Sequence, residues 1–237
     1  LIFKLKKKVF IIGSGFSSLS AACYLSKSGY DVHVFEKNNS LGGRAAQFKV
    51  NGFTFDMGPS WYWMPDVFER FFNDFGKSSK NFYELKKLNP AYRVIFNKEN
   101  QIKIGDNIDN ISSQFEKIEK GSGKKLKEFL KESKENYDLA VTNMLYKMPG
   151  KSIFELINSK TILKVNLFFS NIKNDIEKRF NDSRLRSVLQ FPVLFLGAKP
   201  SNTPAFYNFM NYADFGLGTW QPKNGFYDVV KSMVSVD

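Results

Sequence analysis

The chain has 237 residues, 43% of them hydrophobic, and its 35 Lys and Arg against 23 Asp and Glu give a formal net charge of +12. This length allows one large domain or two small ones, with a sizeable buried core. The single cysteine excludes a disulfide framework and fits a reducing compartment. The single histidine means that the residues needed for a Ser-His triad or a His-based metal site are missing from this chain. We therefore expect no metal centre.

The first predicted elements are a strand, a turn and a helix over residues 9–18, whose sequence is VFIIGSGFSS. Gly13 permits a tight turn, and Gly15 lets a pyrophosphate approach the backbone amides at the helix N-terminus. Ser18 replaces the third glycine of this pattern and is small enough for close packing. The pattern predicts a dinucleotide site, the alternative being an ordinary strand, turn and helix without a ligand.

A second strand over residues 31–36 ends at Glu36 and completes a β-α-β unit over residues 8–36. An acidic side chain at this position accepts hydrogen bonds from ribose hydroxyls and repels a 2′-phosphate, so NADP is disfavoured. The lone histidine, His33, alternates with valines on this strand, and the lone cysteine, Cys23, lies in the helix. Both are expected to be structural, with Cys23 packed and inert.

A second glycine-rich element, LGGR at residues 41–44, follows the acid, and GFTFDMGPS follows at residues 52–60. Paired glycines let a loop lie against a cofactor, and Arg44 can form charge-assisted hydrogen bonds to phosphates. The alternative for Arg44 is a solvated surface residue. With these motifs the chain resembles the flavin-dependent phytoene desaturases of the bacterial carotenoid pathway. The resemblance implies FAD as the cofactor.

The resemblance and the motifs together assign the expected FAD-binding residues to the segments just described. They are Gly13, Ser14, Gly15, Phe16, Ser17, Glu36, Lys37, Gly42, Gly43, Arg44, Gly58, Pro59 and Ser60. The aromatic residues that follow, Trp61, Tyr62 and Trp63, either line a channel for a polyene substrate or pack in a core. No catalytic base is predicted, because a carboxylate such as Asp56 before Gly-Pro is more often a turn residue bonded to nearby backbone amides.

Further along the chain we expect a loop over the cofactor to about residue 63, a helix over 65–75 and a hairpin of strands 92–96 and 101–104. From residue 111 to about 195 the pattern is mostly helical, with breaks at 121–123 and 149–150. The stretch 161–176 has apolar positions at helical spacing with lysines beside them. Such a helix suits either a membrane interface or a core-facing position with one solvated side.

The far end of the chain carries the resemblance again, at residues 203–214 and 216–225. Relatives more often have paired glycines where this chain has Asn224 and Gly225, and we expect Asn224 to adopt a positive φ in their place. A helix is expected from about Tyr227, with Asp237 still inside it. Because members of the family are longer, with a later segment that completes the cofactor domain, we expect the chain to be an N-terminal fragment.

The predicted fold class is α/β, with an FAD-binding Rossmann-like (βαβ) domain interrupted by an α+β substrate domain. The expected limits are 1–76 for the first part of the FAD-binding domain, 77–219 for the substrate domain and 220–237 for the return. A net charge of +5 over residues 111–180, from 14 basic and 9 acidic side chains, and the lipid-like substrate favour a peripheral membrane surface as partner. Nucleic acid is not expected, since no base-reading module or stacking platform appears.

The resemblance implies the removal of two hydrogens from neighbouring carbons of a long polyene such as phytoene, with a hydride passing to flavin N5. A polyene isomerase or saturase of the same family shares these motifs. A prenyl-binding regulator of the same architecture, without flavin, is a second alternative, and the presence of Gly15, Glu36, Gly43 and Arg44 together argues against it. An amine or amino-acid oxidase is a further alternative that would require a polar pocket. The expected location is cytoplasmic and peripherally membrane-associated, because no signal peptide and no run of eighteen apolar residues is found. The oligomeric state is left open.

Overall fold

The computed structural model describes residues 6–146 and 164–236. Its strands and helices, in chain order, are β1 (Lys8–Ile12), α1 (Phe16–Lys27), β2 (Asp31–Phe35), β3 (Gln47–Val50), β4 (Phe53–Asp56), α2 (Pro65–Asn73), β5 (Leu85–Lys87), β6 (Tyr92–Ile95), β7 (Gln101–Ile104), α3 (Ile108–Ile118), α4 (Ser122–Tyr137), α5 (Val165–Phe169), α6 (Ile172–Arg179), α7 (Ser183–Gln190), α8 (Phe209–Asn211), β8 (Trp220–Pro222) and α9 (Tyr227–Val234). Short 3-10 and π-helical turns lie between several of them, and α8 is flanked by a 3-10 turn at Ala205–Asn208 and a π-helical turn at Tyr212–Gly216.

The chain divides into two compact units, one formed by Leu1–Lys87 with Trp220–Asp237 and the other by Leu88–Thr219. The first boundary falls after β5, because β5 pairs antiparallel with β8 and therefore belongs with the returning segment. The predicted limit at residue 76 precedes this strand. The assignment of the two units as cofactor and substrate domains stays a prediction.

The first unit is built on the parallel pair β1 and β2, with α1 as the connection between them. The register runs from Lys8 opposite Asp31 to Ile12 opposite Phe35. This confirms the predicted β-α-β unit, and the helices expected near residues 65 and 227 are present as α2 and α9. Helix α9 ends at Val234, and Asp237, which was expected inside that helix, lies outside the described residues.

The core of the first unit lies between α1, α2 and α9. Its buried members include Leu19, Tyr62, Phe72 and Val229, each less than 7% exposed. Cys23 is buried beside them and its thiol donates to the carbonyl oxygen of Met233 at 3.2 Å, which confirms that it is packed. Helix α9, from the end of the chain, therefore packs on the first helix of the β-α-β unit.

Residues 47–56 form a hairpin of β3 and β4, where the sequence prediction placed only a loop. The turn is Asn51-Gly52, with φ of +49° and +82°. Asn-Gly with positive φ at both positions is the usual two-residue turn of a twisted hairpin. The prediction of a continuous loop to residue 63 is therefore wrong for this segment.

The second unit is mainly helical, with the antiparallel hairpin of β6 and β7 confirming the prediction for residues 92–104. Its core contains three phenylalanines, Phe115, Phe129 and Phe180, each 0% exposed and packed edge to face. The predicted break at 121–123 is confirmed, since Gly121 has a φ of +85° directly before α4 begins. The predicted break at 149–150 lies outside the described residues.

The prediction of a single helix over 161–176 is wrong for its described part, residues 164–176. Two helices lie there instead, because α5 ends at Phe169 and α6 begins at Ile172. Ser170 is extended, and the Asn171 side chain accepts from the Asn174 amide, which caps a new helix. Residues 161–163 lie outside the described part. Within 6–146 and 164–236, no helix has the length and apolar composition needed to cross a bilayer.

A carboxyl group is buried in the second unit. Asp214, 2% exposed, accepts hydrogen bonds from the hydroxyls of Tyr92 and Thr219. Burial raises the pKa of Asp214 to about 7, against the lowering effect of these two donors. A folded state that binds a proton more tightly than the unfolded state loses stability as the pH rises between the two pKa values.

We expect Asp214→Asn to remove a pH dependence of stability. In the unchanged protein, the contribution of Asp214 to the free energy of unfolding should be fully present below the ordinary carboxyl pKa, near 3.8, and should be lost as the pH rises through about 7. The loss amounts to about 1.4 kcal/mol for each unit by which the pKa of Asp214 is higher in the folded than in the unfolded protein. Denaturant unfolding between about pH 4 and pH 8 measures it. The control is Asp109→Asn, an exposed carboxylate on α3 paired with Lys127, which should follow the unchanged protein. Parallel profiles for all three proteins would contradict the prediction.

Candidate functional site

The turn at residues 13–15, here called the first glycine turn, places the N-terminus of α1 at the end of β1. The Gly13 amide donates to the Phe35 carbonyl at 2.7 Å, which ties the turn to the end of β2. Gly15 precedes the helix in extended conformation, and no side chain of the described residues caps it. The first amides of a 12-residue helix are therefore available to an anion.

The turn at residues 42–44, the second glycine turn, lies directly behind the first. The Gly42 amide donates to the Ser14 carbonyl at 2.9 Å. Gly43 has a φ of +57°, and a Cβ on it would be 3.3 Å from the Gly15 Cα. A glycine is thus favoured at position 43 because its backbone lies against that of the first turn.

The turn at residues 57–59, the third turn, follows β4 and closes on the second. A Cβ on Gly58 would lie 1.8 Å from the Arg44 carbonyl oxygen. This contact is with backbone, so a side chain at position 58 has no place without moving the loop. The glycine of the GPS motif is therefore required by packing, before any ligand is considered.

These three turns surround a cavity of about 740 Å³. Its lining residues are Gly15, Phe16, Ser17, Gly42, Gly43, Arg44, Ala45, Met57, Gly58 and Pro59. Most of the residues predicted for the cofactor are thus brought together, although they come from three separate segments. Ala45 and Met57 also line the cavity but were not predicted. Ala45 follows Arg44 and Met57 precedes Gly58, so their position beside predicted residues was the only indication in the sequence.

Glu36 lies beside the first glycine turn and all of its acceptor capacity is used. One oxygen, Oε2, accepts from the Ser14 amide at 2.9 Å and the Ser14 hydroxyl at 2.6 Å. The other, Oε1, accepts from the Asn38 amide and from the Asn38 side chain. The Ser14 hydroxyl and the Asn38 amide are the main causes that lower the pKa of Glu36 to about 2. The side chain is therefore anionic and oriented at neutral pH.

The remaining predicted residues lie at the margin of this group. Arg44 lines the cavity and is solvent-exposed, a position that suits both phosphate binding and a solvated surface side chain. Lys37 and Ser60 do not line the cavity. We retain the binding roles of all these residues as predictions.

Of the three aromatic residues after the GPS motif, Tyr62 is in the core. Its side chain is 0% exposed, and its hydroxyl lies 2.9 Å from that of Tyr83. Burial raises the pKa of Tyr62 above its usual range and that of Tyr83 to about 12. Core packing, the alternative reading, therefore describes Tyr62. Trp61 and Trp63 are half-buried and stack on each other with ring centroids 6.0 Å apart, and their substrate role stays a prediction.

Two local expectations are wrong. Asp56 is not bonded to nearby turn amides; its Oδ2 accepts from the Phe226 amide at 2.7 Å, 170 residues along the chain. Asn224 does not adopt a positive φ, since only Gly225 of this pair does. Instead the Asn224 side chain donates to Asp228 in the first turn of α9 at 3.0 Å. A long-range contact at Asp56 and a side-chain contact with α9 at Asn224 thus replace the expected turn interactions.

The donors and the open backbone fit a dinucleotide. The cavity is lined by the start of α1, whose first amides have no side-chain acceptor, by glycine residues and by Arg44. An anionic acceptor, Glu36, lies next to it. Such a set is suited to a pyrophosphate and a ribose. Among the described residues, no three His, Cys, Asp or Glu side chains come together as metal ligands.

Known proteins share these segments. The NAD(P)-binding Rossmann-like domain family matches residues 11–75, which include all three turns. Carotenoid 3,4-desaturase of Haloarcula japonica is 40% identical over 230 residues, which cover 96% of this chain and 46% of that protein. The zeta-carotene-forming phytoene desaturase of Myxococcus xanthus is 28% identical over 229 residues, covering 96% and 44%. The chain is a homologue of the carotenoid desaturases.

The homology confirms the family resemblance, the Rossmann-like fold class and FAD as the expected cofactor. The chain spans about half the length of the curated relatives it matches. Among solved structures, putrescine oxidase bound to putrescine is similar with a TM-score of 0.59 and 15% identity, covering 98% of this chain and 49% of that one. This likeness concerns the fold alone.

We expect Ser14→Ala to raise the pKa of Glu36, because the hydroxyl of Ser14 is the largest cause of its low value. A carboxyl whose pKa is lowered on folding stabilises the folded protein above its unfolded pKa, near 4.5, and this contribution is lost as the pH falls through about 2. The variant should lose it at a higher pH. Carboxyl ¹³C NMR titration measures the pKa directly.

The Glu69 carboxyl provides an internal reference for this titration, since it accepts from Ser79 and has no contact with Ser14. Its titration should be the same in both proteins. An unchanged Glu36 titration in the variant would contradict the assignment of Ser14 as its principal donor.

Proposed function

We propose that the protein containing this chain is an FAD-dependent desaturase of phytoene or a similar long apolar polyene in carotenoid biosynthesis. The observation that carries the proposal is the meeting of three glycine-containing turns at the N-terminus of α1, in a homologue of carotenoid desaturases. The turns surround a cavity beside the first amides of α1, as a pyrophosphate needs.

The chain's own residues divide the work of binding FAD. The α1 amides and Gly15 would hold the pyrophosphate, and Arg44 would add a charge-assisted hydrogen bond. Glu36 would accept from the ribose in exchange for one of its present side-chain donors, the Ser14 hydroxyl or the Asn38 side chain. When bound, FAD supplies the acceptor for the hydride removed from the substrate. The chain's part in the reaction is to position the cofactor and exclude water, which needs few charged side chains at the reacting carbons.

A peripheral membrane surface is the partner we propose for the substrate-bearing side of the protein. A long polyene is available in a bilayer rather than in water, and the chain is basic. In the second unit, large apolar side chains are exposed at Phe169 (89%), Leu194 (57%) and Phe195 (55%). These positions support membrane contact, and one of them, Phe169, lies within the stretch 161–176.

The test uses the purified protein that contains this chain and liposomes that carry phytoene. With oxidised FAD and an electron acceptor, we expect products with longer conjugation, seen as absorbance at longer wavelength. Product formation only with reduced FAD would instead indicate an isomerase or saturase. Absence of any flavin spectrum after FAD loading would favour a non-enzymatic regulator.

Arg44→Ala is expected to weaken FAD binding about tenfold, the effect of losing one hydrogen bond to a charged group. The control is Arg93→Ala, which removes an exposed guanidinium from β6 in the other unit. Flavin fluorescence titration gives both dissociation constants. Equal affinities in the two variants would remove Arg44 from the proposed site.

A further inference from the structure

Asp56 is the last residue of β4 and stands directly before the third turn. Its carboxylate has two partners in the first unit. Oδ1 accepts from the Gln47 side chain across the hairpin at 3.3 Å, and Oδ2 accepts from the Phe226 amide at 2.7 Å. The second bond joins the start of the turn that lines the cavity to a segment near the other end of the chain.

The segment that receives Asp56 is shaped to do so. Gly225 has a φ of +100°, and a Cβ on it would lie 2.8 Å from Asp56 Oδ2. A side chain at position 225 would therefore push the carboxylate away from Phe226. Phe226 immediately precedes α9, so the carboxylate also lies at the positive end of that helix.

Helix α9 in turn supports the cavity from behind. A Cβ on Gly42 would lie 3.0 Å from Val230 Cγ2, so α9 packs against the second glycine turn. The Phe226 ring packs edge to face on Phe16, which lines the cavity, with centroids 5.9 Å apart. Movement of Phe226 is therefore transmitted to two of the segments that surround the cavity.

We propose that Asp56 is a positioning residue of the cofactor site, which fixes the third turn and the start of α9 to each other through the Phe226 amide. It acts through these segments and not as a proton acceptor, because Oδ2, which makes the shorter of its two hydrogen bonds, accepts from a backbone amide. The inference rests on the proposed function, because the cavity is taken to hold FAD.

The test compares Asp56→Ala with Asp56→Asn, whose side-chain oxygen can still accept from Phe226. Two readouts are used: hydrogen exchange of the Phe226 amide in the FAD-free protein, and FAD affinity by fluorescence titration. We expect Asp56→Ala to accelerate the exchange and to weaken FAD binding about tenfold, and Asp56→Asn to stay close to the unchanged protein in both. The control, Asp74→Ala, removes a carboxylate of the same unit that accepts from Tyr24 at 2.5 Å, and should change neither readout.

A cycle with Gly225→Ala separates the carboxylate contact from backbone strain. The backbone strain of an alanine at a φ of +100° is the same whether residue 56 is Asp or Ala. The clash with the carboxylate occurs only when residue 56 is Asp. We therefore expect Gly225→Ala to weaken FAD binding less in the Asp56→Ala background than alone.

Three results would overturn the proposal. Unchanged Phe226 exchange in Asp56→Ala would show that the bond is not formed, and changed exchange with unchanged FAD affinity would make it merely structural. Loss of turnover in Asp56→Asn with intact FAD affinity and a flattened pH profile would make Asp56 a proton acceptor. If the unchanged protein binds no FAD, the proposed function fails, while the Phe226 exchange still decides whether Asp56 makes its contact.

Discussion

The site depends on the direct approach of backbone to backbone among three turns. Gly43 lies against Gly15, and Gly58 lies against the carbonyl of Arg44, at distances that leave no room for a Cβ at position 58. Side chains are excluded from the place where the turns meet, so glycine backbone forms part of the cavity wall. A wall of this kind offers amide donors at short range, which is the requirement for a pyrophosphate.

The turns are held in place by elements that are distant in sequence. Helix α9 packs behind the second turn through Val230, and Asp56 ties the third turn to the residue that begins this helix. Glu36, at the end of β2, holds the first turn through Ser14. Each turn thus has its own anchor in the same unit. The returning segment is as much a part of the site's frame as the β-α-β motif itself.

Local signals in the sequence were sufficient to predict much of this architecture. The β-α-β unit, α2, the hairpin of β6 and β7 and the start of α9 follow from periodicity and from Gly, Pro and Asn positions close by. The glycine motifs also predicted which segments meet at the cavity. The hairpin of β3 and β4 had a signal, Asn51-Gly52, but Gly52 was interpreted only as part of the motif that follows.

What could not be predicted depends on contacts between remote residues. The partner of Asp56 is 170 positions away, and no local pattern distinguishes such a contact from a turn. Tyr62 is buried in the core while Trp61 and Trp63 on either side are half-buried, so composition alone left both interpretations open. The break between α5 and α6 has the same origin, since the extended Ser170 and the Asn171 cap are held by pairing with residues 203–205.

The central claim, that the first glycine turn receives the pyrophosphate of FAD, is tested most directly by Gly15→Ala beside Gly58→Ala. A Cβ on Gly15 meets no atom of the described structure within 4 Å, and its φ of −72° suits any residue. We therefore expect Gly15→Ala to keep the thermal stability of the FAD-free protein but to lose FAD affinity by at least about tenfold, or about 1.4 kcal/mol. Gly58→Ala should instead destabilise the FAD-free protein. Gly15→Ala protein that binds FAD as tightly as the unchanged protein would contradict the account.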